Sequence, residues 1–256
     1  MRYSKEYNYV LAEPNKANDI LILTKDKRRL VMSALANLSR FLGVYEDWKS
    51  IVKNHGLRYE KRSSFEALLS ILNTNLGNTE GWLIKAVKTL LKEYGTVLAF
   101  DALTGLRPSE ACNSCTLITE LYENGRLDDY LDKEQSLLQH FRFKQLFLRK
   151  SKNAYISFIT PQLLELVLKY KPKVRYMTLD KALNYRGLEI HFSQLRKLYA
   201  TTLRKSLPSE IIDMLQGRIG ESIFVKFYYR PYLEQVRDTV FKTIEPVQDE
   251  LLSILA

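Results

Sequence analysis

Apolar positions recur at three- and four-residue spacing along most of this chain, a pattern that predicts helices. Leu30, Val31, Ala34, Leu35, Leu38, Phe41 and Leu42 make one stripe that begins after Thr24 and stops at Gly43. A second helix is expected over 45–54 and a third through Leu72. The stretch 73–80 is polar and turn-rich, so it reads as a boundary. Beyond it, helices are expected over 82–94 and 96–103, the latter ended by Gly105, and Pro108 opens the next with Arg107 at its start. Further helices are expected over 161–170 and near 179–185. Another runs from 195, where Leu195, Leu198, Tyr199 and Leu203 share a face. Pro208 opens a short helix that Gly217 closes. Leu233, Val236, Val240, Ile244, Val247, Leu251 and Ile254 continue the spacing, and Pro246 is expected to kink or split that last helix. Its seam suits packing on its own domain and docking on a neighbouring subunit equally well.

Between 143 and 160 the period shortens to two. Residues 143–148 and 154–159 read as strands around the basic tip 149–153, Arg-Lys-Ser-Lys-Asn. Residues 1–23 mix tyrosines and charges with one small apolar cluster, which predicts a weakly anchored arm ending in a contact. The expected fold is therefore mainly α with a small β-hairpin element. Residues 1–78 form an arm and a helical unit, and 79–256 form a larger domain.

Composition narrows the partners. Lys and Arg number 39 against 29 Asp and Glu, a formal charge of +10 in 256 residues, which favours a polyanion because each neutralised phosphate releases counterions. Lys25, Lys27, Arg28, Arg29 and the 61–64 segment give the first helical unit basic edges, as a DNA clamp or a plain bundle would have. No run approaches the roughly 18 apolar residues of a membrane span and no signal peptide is visible, so the expectation is an intracellular protein with no membrane partner. Cys112 and Cys115 form a single C-x-x-C on a predicted helix, with His55, His140 and His191 the only histidines. They read as small packing residues, and neither metal nor cofactor is expected.

Candidate chemistry gathers at 193–230. Arg196 and Arg218 sit at helix-compatible positions, and the segment ends in Tyr228 and Tyr229 among basic residues. Arg107 stands beside a helix N-terminus, whose free N–H groups already favour an anion. Three arginines and a tyrosine suggest a site that grips a phosphodiester and attacks it. A tyrosine hydroxyl has an ordinary pKa of about 10, so it needs a cationic setting to attack at neutral pH. Guanidiniums supply that setting, binding the non-bridging oxygens more tightly as charge builds. The leaving 5′-oxygen needs a proton, which a lysine of the 149–153 tip can give.

Together T-G-L-R-P-S-E (104–110), the basic hairpin, L-R-K-L-Y-A-T (195–201), L-Q-G-R (215–218) and F-Y-Y-R-P (227–231) resemble the tyrosine recombinases, most of all the integrases of archaeal viruses and plasmids. The resemblance covers 79–256 well and 25–75 more loosely. It implies the recombinase catalytic fold preceded by a helical core-binding-like domain. The implied activity is metal-free DNA strand transfer through a 3′-phosphotyrosyl bond, in integration or related recombination. Arg107 matches the family's first arginine, Arg196 its second, and Glu110 the acidic residue that positions the first. Arg218 stands where many members have histidine or tryptophan. Ser193 occupies the place of the histidine in H-x-x-R, with His191 two residues earlier. Lys150 aligns with the acid, and Lys152 is its alternative. Nine residues after Arg218, the usual distance to the nucleophile, stands Phe227; Tyr228 is the choice of nucleophile and Tyr229 the alternative. Double-stranded DNA and a dimer to tetramer of the chain on it are the implied partners, in the cytoplasm. A type IB topoisomerase and an inactive DNA-binding regulator on the same fold are the rivals.

Overall fold

The computed structural model describes residues 2–60, 63–72, 76–149, 152–188, 193–218 and 231–256. The described chain is mostly helical with one small sheet, and it separates into two compact units, Met1–Thr74 and Asn75–Ala256. None of its described helices is long and apolar enough to cross a membrane.

In the first unit, the short helices α1 (Arg2–Tyr7), α2 (Tyr9–Ala12) and α3 (Asn18–Leu21) are followed by α4 (Lys25–Phe41), α5 (Tyr45–Asn54) and α6 (Ser64–Leu72). Of the expected stripe, Val31 and Leu35 are buried, Met32 is buried beside them, and Leu30, Phe41 and Leu42 are exposed; Trp48 and Ile51 of α5 join the same core. The first 23 residues are no loose arm. Tyr7, Val10, Ala17 and Ile20 are buried in that core, so these short turns are held by tertiary packing rather than by helix propensity.

The second unit is organised around α8 (Lys92–Thr104), in which every residue from Gly95 to Thr104 is buried. Such a helix has no polar face to show to water and must be surrounded. Around it pack α7 (Leu76–Thr89), α9 (Pro108–Glu123), α11 (Pro161–Tyr170), α13 (Ser193–Leu203) and α15 (Leu233–Leu255). The smaller helices α10 (Lys144–Phe147), α12 (Tyr176–Tyr185) and α14 (Ser209–Leu215) complete the unit.

The sheet differs from the expected hairpin. Strand β2 (Leu137–Leu138) lies between β1 (Leu131–Asp132) and β3 (Ser157–Phe158), antiparallel to both, with Leu137 opposite Phe158. Residues 143–148 form α10 instead of a strand. Phe143 and Phe147 are four apart, so a helical turn brings both rings onto Tyr130, one edge-on at 5.3 Å and the other stacked at 6.0 Å. Of the second expected strand, 154–159, β3 survives, and the Ala154 N–H donates to the Phe147 carbonyl at 3.0 Å.

The last helix is continuous through Pro246. Of its expected seam, Val236, Val240, Ile244 and Leu251 are buried in its own unit, together with Leu255; Val247 and Ile254 are half-buried, and Leu233 is exposed. Buried Gln248 accepts a 2.5 Å hydrogen bond from the Thr160 hydroxyl. The Lys92 ammonium, the Tyr170 hydroxyl and the Lys169 ammonium donate to the carbonyls of Ile254, Leu255 and Ala256.

Candidate functional site

The site begins where α8 ends. Gly105 closes α8 with φ +65°, a left-handed conformation that glycine adopts without strain, and its N–H returns to the Asp101 carbonyl. Any Cβ there would stand 2.1 Å from the Tyr199 ring, so α13 packs directly on this turn. Two residues on, extended Arg107 caps α9, with Pro108 in the first turn. Buried Glu110 reaches back with both oxygens: one accepts the Arg107 N–H at 3.0 Å, the other its Nη1 at 2.7 Å. The same Nη1 donates to the Asn153 carbonyl at 3.2 Å, which ties Arg107 to the basic turn.

Arg196 lies on α13 and is only 9 % exposed. It has no carboxylate partner in hydrogen-bond contact. Nη1 donates to the Gly105 carbonyl at 2.8 Å, Nη2 donates to the Gln216 carbonyl, and the Gln216 amide returns a 2.9 Å bond to the Arg196 carbonyl. Burial lowers its pKa to about 10, with the positive fields of Arg107 and then Arg218 pushing in the same direction. Arg196 thus stays charged at neutral pH, and its field reports that all three guanidiniums share one neighbourhood. Arg218 follows Gly217, a left-handed residue whose Cβ would fall 1.7 Å from the Asn153 carbonyl. Its side chain is 61 % exposed and stands 3.6 Å from Asp213.

Lys152, next to Asn153, is exposed and has no hydrogen bond or ion pair among the described residues. Ser193 begins α13, but its side chain lies outside the described part. Lys150, His191, Tyr228 and Tyr229 lie outside the described residues. The structure therefore brings together Arg107, Glu110, Arg196, Arg218 and the turn carrying Lys152.

Three further contributors are not among the site residues expected from sequence: Asn153, Gln216 and Asp101. The first two lie within the motifs and meet the arginines through main-chain carbonyls, which side-chain identity does not advertise. Asp101 is fully buried on α8, and neither of its carboxyl oxygens has a hydrogen-bond partner among the described residues. Burial raises its pKa well above the ordinary carboxylate value; Arg196 opposes that rise and Glu110 adds to it. Its burial without a partner among the described residues thus favours the protonated form.

No family model matches the chain, and neither does any curated protein or solved structure.

The remaining polar clusters are structural. Cys112 and Cys115 are free and buried on α9; burial above all pushes the Cys112 thiol up to about 12 and raises Cys115 well above the ordinary thiol value. Neither is a reactive thiolate. His140 is enclosed in a relay of hydroxyls: Ser114 to Tyr130 at 2.8 Å, Tyr130 to Nδ1 at 2.6 Å, and Nε2 to Ser157 at 2.9 Å. Burial lowers its pKa to about 3, so the ring is neutral and serves to join α9 to the sheet.

In chemical terms the site offers one exposed and two recessed guanidiniums, a lysine-bearing turn, Glu110 committed to Arg107, and Asp213 3.6 Å from the exposed Arg218. Such a set can bind a tetrahedral anion and stabilise added charge on it.

Proposed function

We propose that this chain is a site-specific DNA recombinase of the tyrosine recombinase type, breaking and rejoining strands through a 3′-phosphotyrosyl bond without a metal. The observation that carries the reading is the convergence of Arg107, Arg196 and Arg218 from three separate stretches, with Arg196 held by neutral carbonyls within the field of the other two. A phosphodiester is the group this arrangement fits, and the charge of +10 favours a DNA duplex as its bearer.

In this reading Arg107, Arg196 and Arg218 bind the non-bridging oxygens of the scissile phosphate, and Glu110 fixes Arg107. The hydroxyl of Tyr228, with Tyr229 as the alternative, attacks phosphorus and gives up its proton to solvent. The bond to the 5′-oxygen breaks as a lysine of the 149–153 turn protonates that oxygen. Ser193 adds a hydrogen bond where relatives use histidine. Strand exchange requires two duplexes, so the chain works as a dimer to tetramer assembled on DNA.

Trapping the covalent adduct tests this. Supercoiled plasmid mixed with the protein and quenched in detergent should yield a protein–DNA adduct, and after nuclease trimming a nucleotide should remain on Tyr228. Tyr228→Phe should bind duplex normally and give no adduct. A nucleotide found on Tyr229 reassigns the nucleophile, whereas no adduct under any condition defeats the proposal. Joining of two marked duplexes distinguishes recombination from relaxation alone.

A further inference from the structure

The turn that joins α10 to β3 is held by one residue, Asn153. Its side-chain oxygen accepts the Arg149 main-chain N–H at 2.8 Å, joining the two described ends of the turn. Its side-chain nitrogen donates to the Tyr155 hydroxyl at 3.0 Å, anchoring the loop to the strand side. Its main-chain carbonyl accepts from Arg107 and lies so close to Gly217 that no side chain could fit between them. The Arg149 guanidinium adds a 3.3 Å contact to the Ser109 hydroxyl in the first turn of α9. Asn153 therefore touches two of the three arginine-bearing segments and both ends of the basic turn. Lys152, its neighbour in sequence, has no hydrogen bond or ion pair of its own to set its position.

Resting on the recombinase reading, we propose that Asn153 is a positioning residue for leaving-group protonation: it sets the lysine of this turn in register with the phosphate that Arg107 holds. The balance of the step shows why that register matters. As the tyrosine oxygen bonds to phosphorus, the bond from phosphorus to O5′ breaks, and a proton moves from the lysine ammonium to O5′. A proton donor works only within about 3 Å of its acceptor, and displacement by about 1 Å costs on the order of 10²-fold in rate. A turn whose ends are joined by its own asparagine and pinned to the arginine beside the phosphate meets that requirement without immobilising the lysine in an ion pair.

The test uses full-length protein and a duplex built around the cleavage site mapped with wild type, in two forms: ordinary, and with sulfur replacing the bridging 5′-oxygen. The thiolate leaves without needing a proton. Asn153→Ala should form adduct about 10- to 100-fold more slowly than wild type on the ordinary duplex, near wild-type rate on the sulfur duplex, and bind both normally. An unchanged rate on the ordinary duplex overturns the proposal. So does a defect that sulfur fails to relieve, since the loss would then lie in Arg107 or in the fold. If Asn153→Ala does not fold by circular dichroism, Tyr155→Phe takes its place, removing one anchor of the same loop. It should show a smaller slowing with the same relief by sulfur, and absence of that relief overturns the proposal too. Wild-type protein that forms no adduct at all defeats the recombinase reading instead.

Discussion

The two units handle their positive charge in opposite ways. At the start of α4 in the first unit, each cation faces a carboxylate: Lys25 lies 2.7 Å from Glu66, Arg28 lies 3.2 Å from Glu60, Arg29 lies 3.5 Å from Asp26 and Lys27 lies 3.7 Å from Glu6. The Lys25 ammonium, helped by the Ser63 N–H, holds the Glu66 carboxyl down to about 2. In the second unit Arg196 is held by two carbonyls, Arg107 shares one carboxylate with its own backbone N–H, and Arg218 stands 3.6 Å from Asp213, so one of the three guanidiniums has no carboxylate partner among the described residues. A carbonyl orients a guanidinium without cancelling its charge, whereas a carboxylate does both. The basic edge of α4 is therefore locally neutralised, while the arginine cluster keeps a net positive charge to offer a phosphate.

The sharpest way to break this contrast is to remove Arg196. Arg196→Ala should lower adduct formation by about 10²–10³-fold, as expected for loss of one charge-stabilising donor. Duplex affinity should change only a few-fold because many other cations share it. Single-turnover kinetics beside a gel-shift titration would measure both, and cleavage within a few-fold of wild type would remove Arg196 from the site. Next in size is the carbonyl that orients it. Gly105→Ala forces a side chain into a φ of +65° and against the Tyr199 ring, which should cost about 1–3 kcal/mol of stability and slow cleavage as well. A denaturant midpoint equal to that of wild type would show that this close approach is not real.

The buried Asp101 carboxyl beneath the cluster gives a smaller effect with a distinctive pH dependence. Asp101 in the unfolded chain loses its proton above its ordinary value of 3.8, but the folded chain retains it to higher pH. The folded state then binds more protons, so stability falls as pH rises above about 4, by at most about 1.4 kcal/mol per pH unit. Asp101→Asn keeps the shape, abolishes that slope and should be the more stable protein at pH 7. His140 acts in the other direction. Its folded pKa of about 3 lies below the ordinary 6.5, so stability present above pH 6.5 is lost as pH falls towards 3, in wild type and Asp101→Asn alike. Chemical denaturation from pH 3 to 8 separates the two, and a lower stability of Asp101→Asn at pH 7 would mean that its carboxylate is paired after all.

The smallest effect tests the neutralised edge. Glu66→Gln leaves Lys25 with only the 3.9 Å contact to Glu60. The cost in stability should be below about 0.5 kcal/mol because the pair is exposed. If the edge meets DNA, the salt dependence of duplex binding should steepen by up to about 0.9 in log–log slope. An unchanged slope would keep this edge away from the backbone.

Most helices were legible because the three-to-four spacing of their apolar residues is long and regular: 45–54 and 161–170 are found as expected, and Gly105, Pro108 and Gly217 act as the predicted stops and starts. The strand expected at 143–148 was not, because Phe143 and Phe147 suit a period of two and a period of four alike, and only the Tyr130 ring between them decides. The N-terminal turns were hidden for a related reason, their few apolar residues being too scattered to show a period until α4 and α5 supply the surface. At the site, Arg107, Glu110, Arg196 and Arg218 could be named from motifs. Gln216 and Asn153 lie in the same motifs, but their roles were hidden because their main-chain carbonyls meet arginines far away in sequence. Asp101 carries no sequence signal of its burial.

The way α15 is fastened has a consequence for how this protein is made. The Lys92 ammonium bonds the Ile254 carbonyl 162 residues away, and Leu255 packs against Gly95 at the start of α8. Contacts of such separation form late, because a long loop must close before they contribute anything. A ribosome-bound chain that has emerged only as far as α13 already contains Arg107 and Arg196, yet α8 still lacks one wall of its enclosure. During synthesis the arginines would therefore belong to an unfinished core until α15 has emerged and packed against α8.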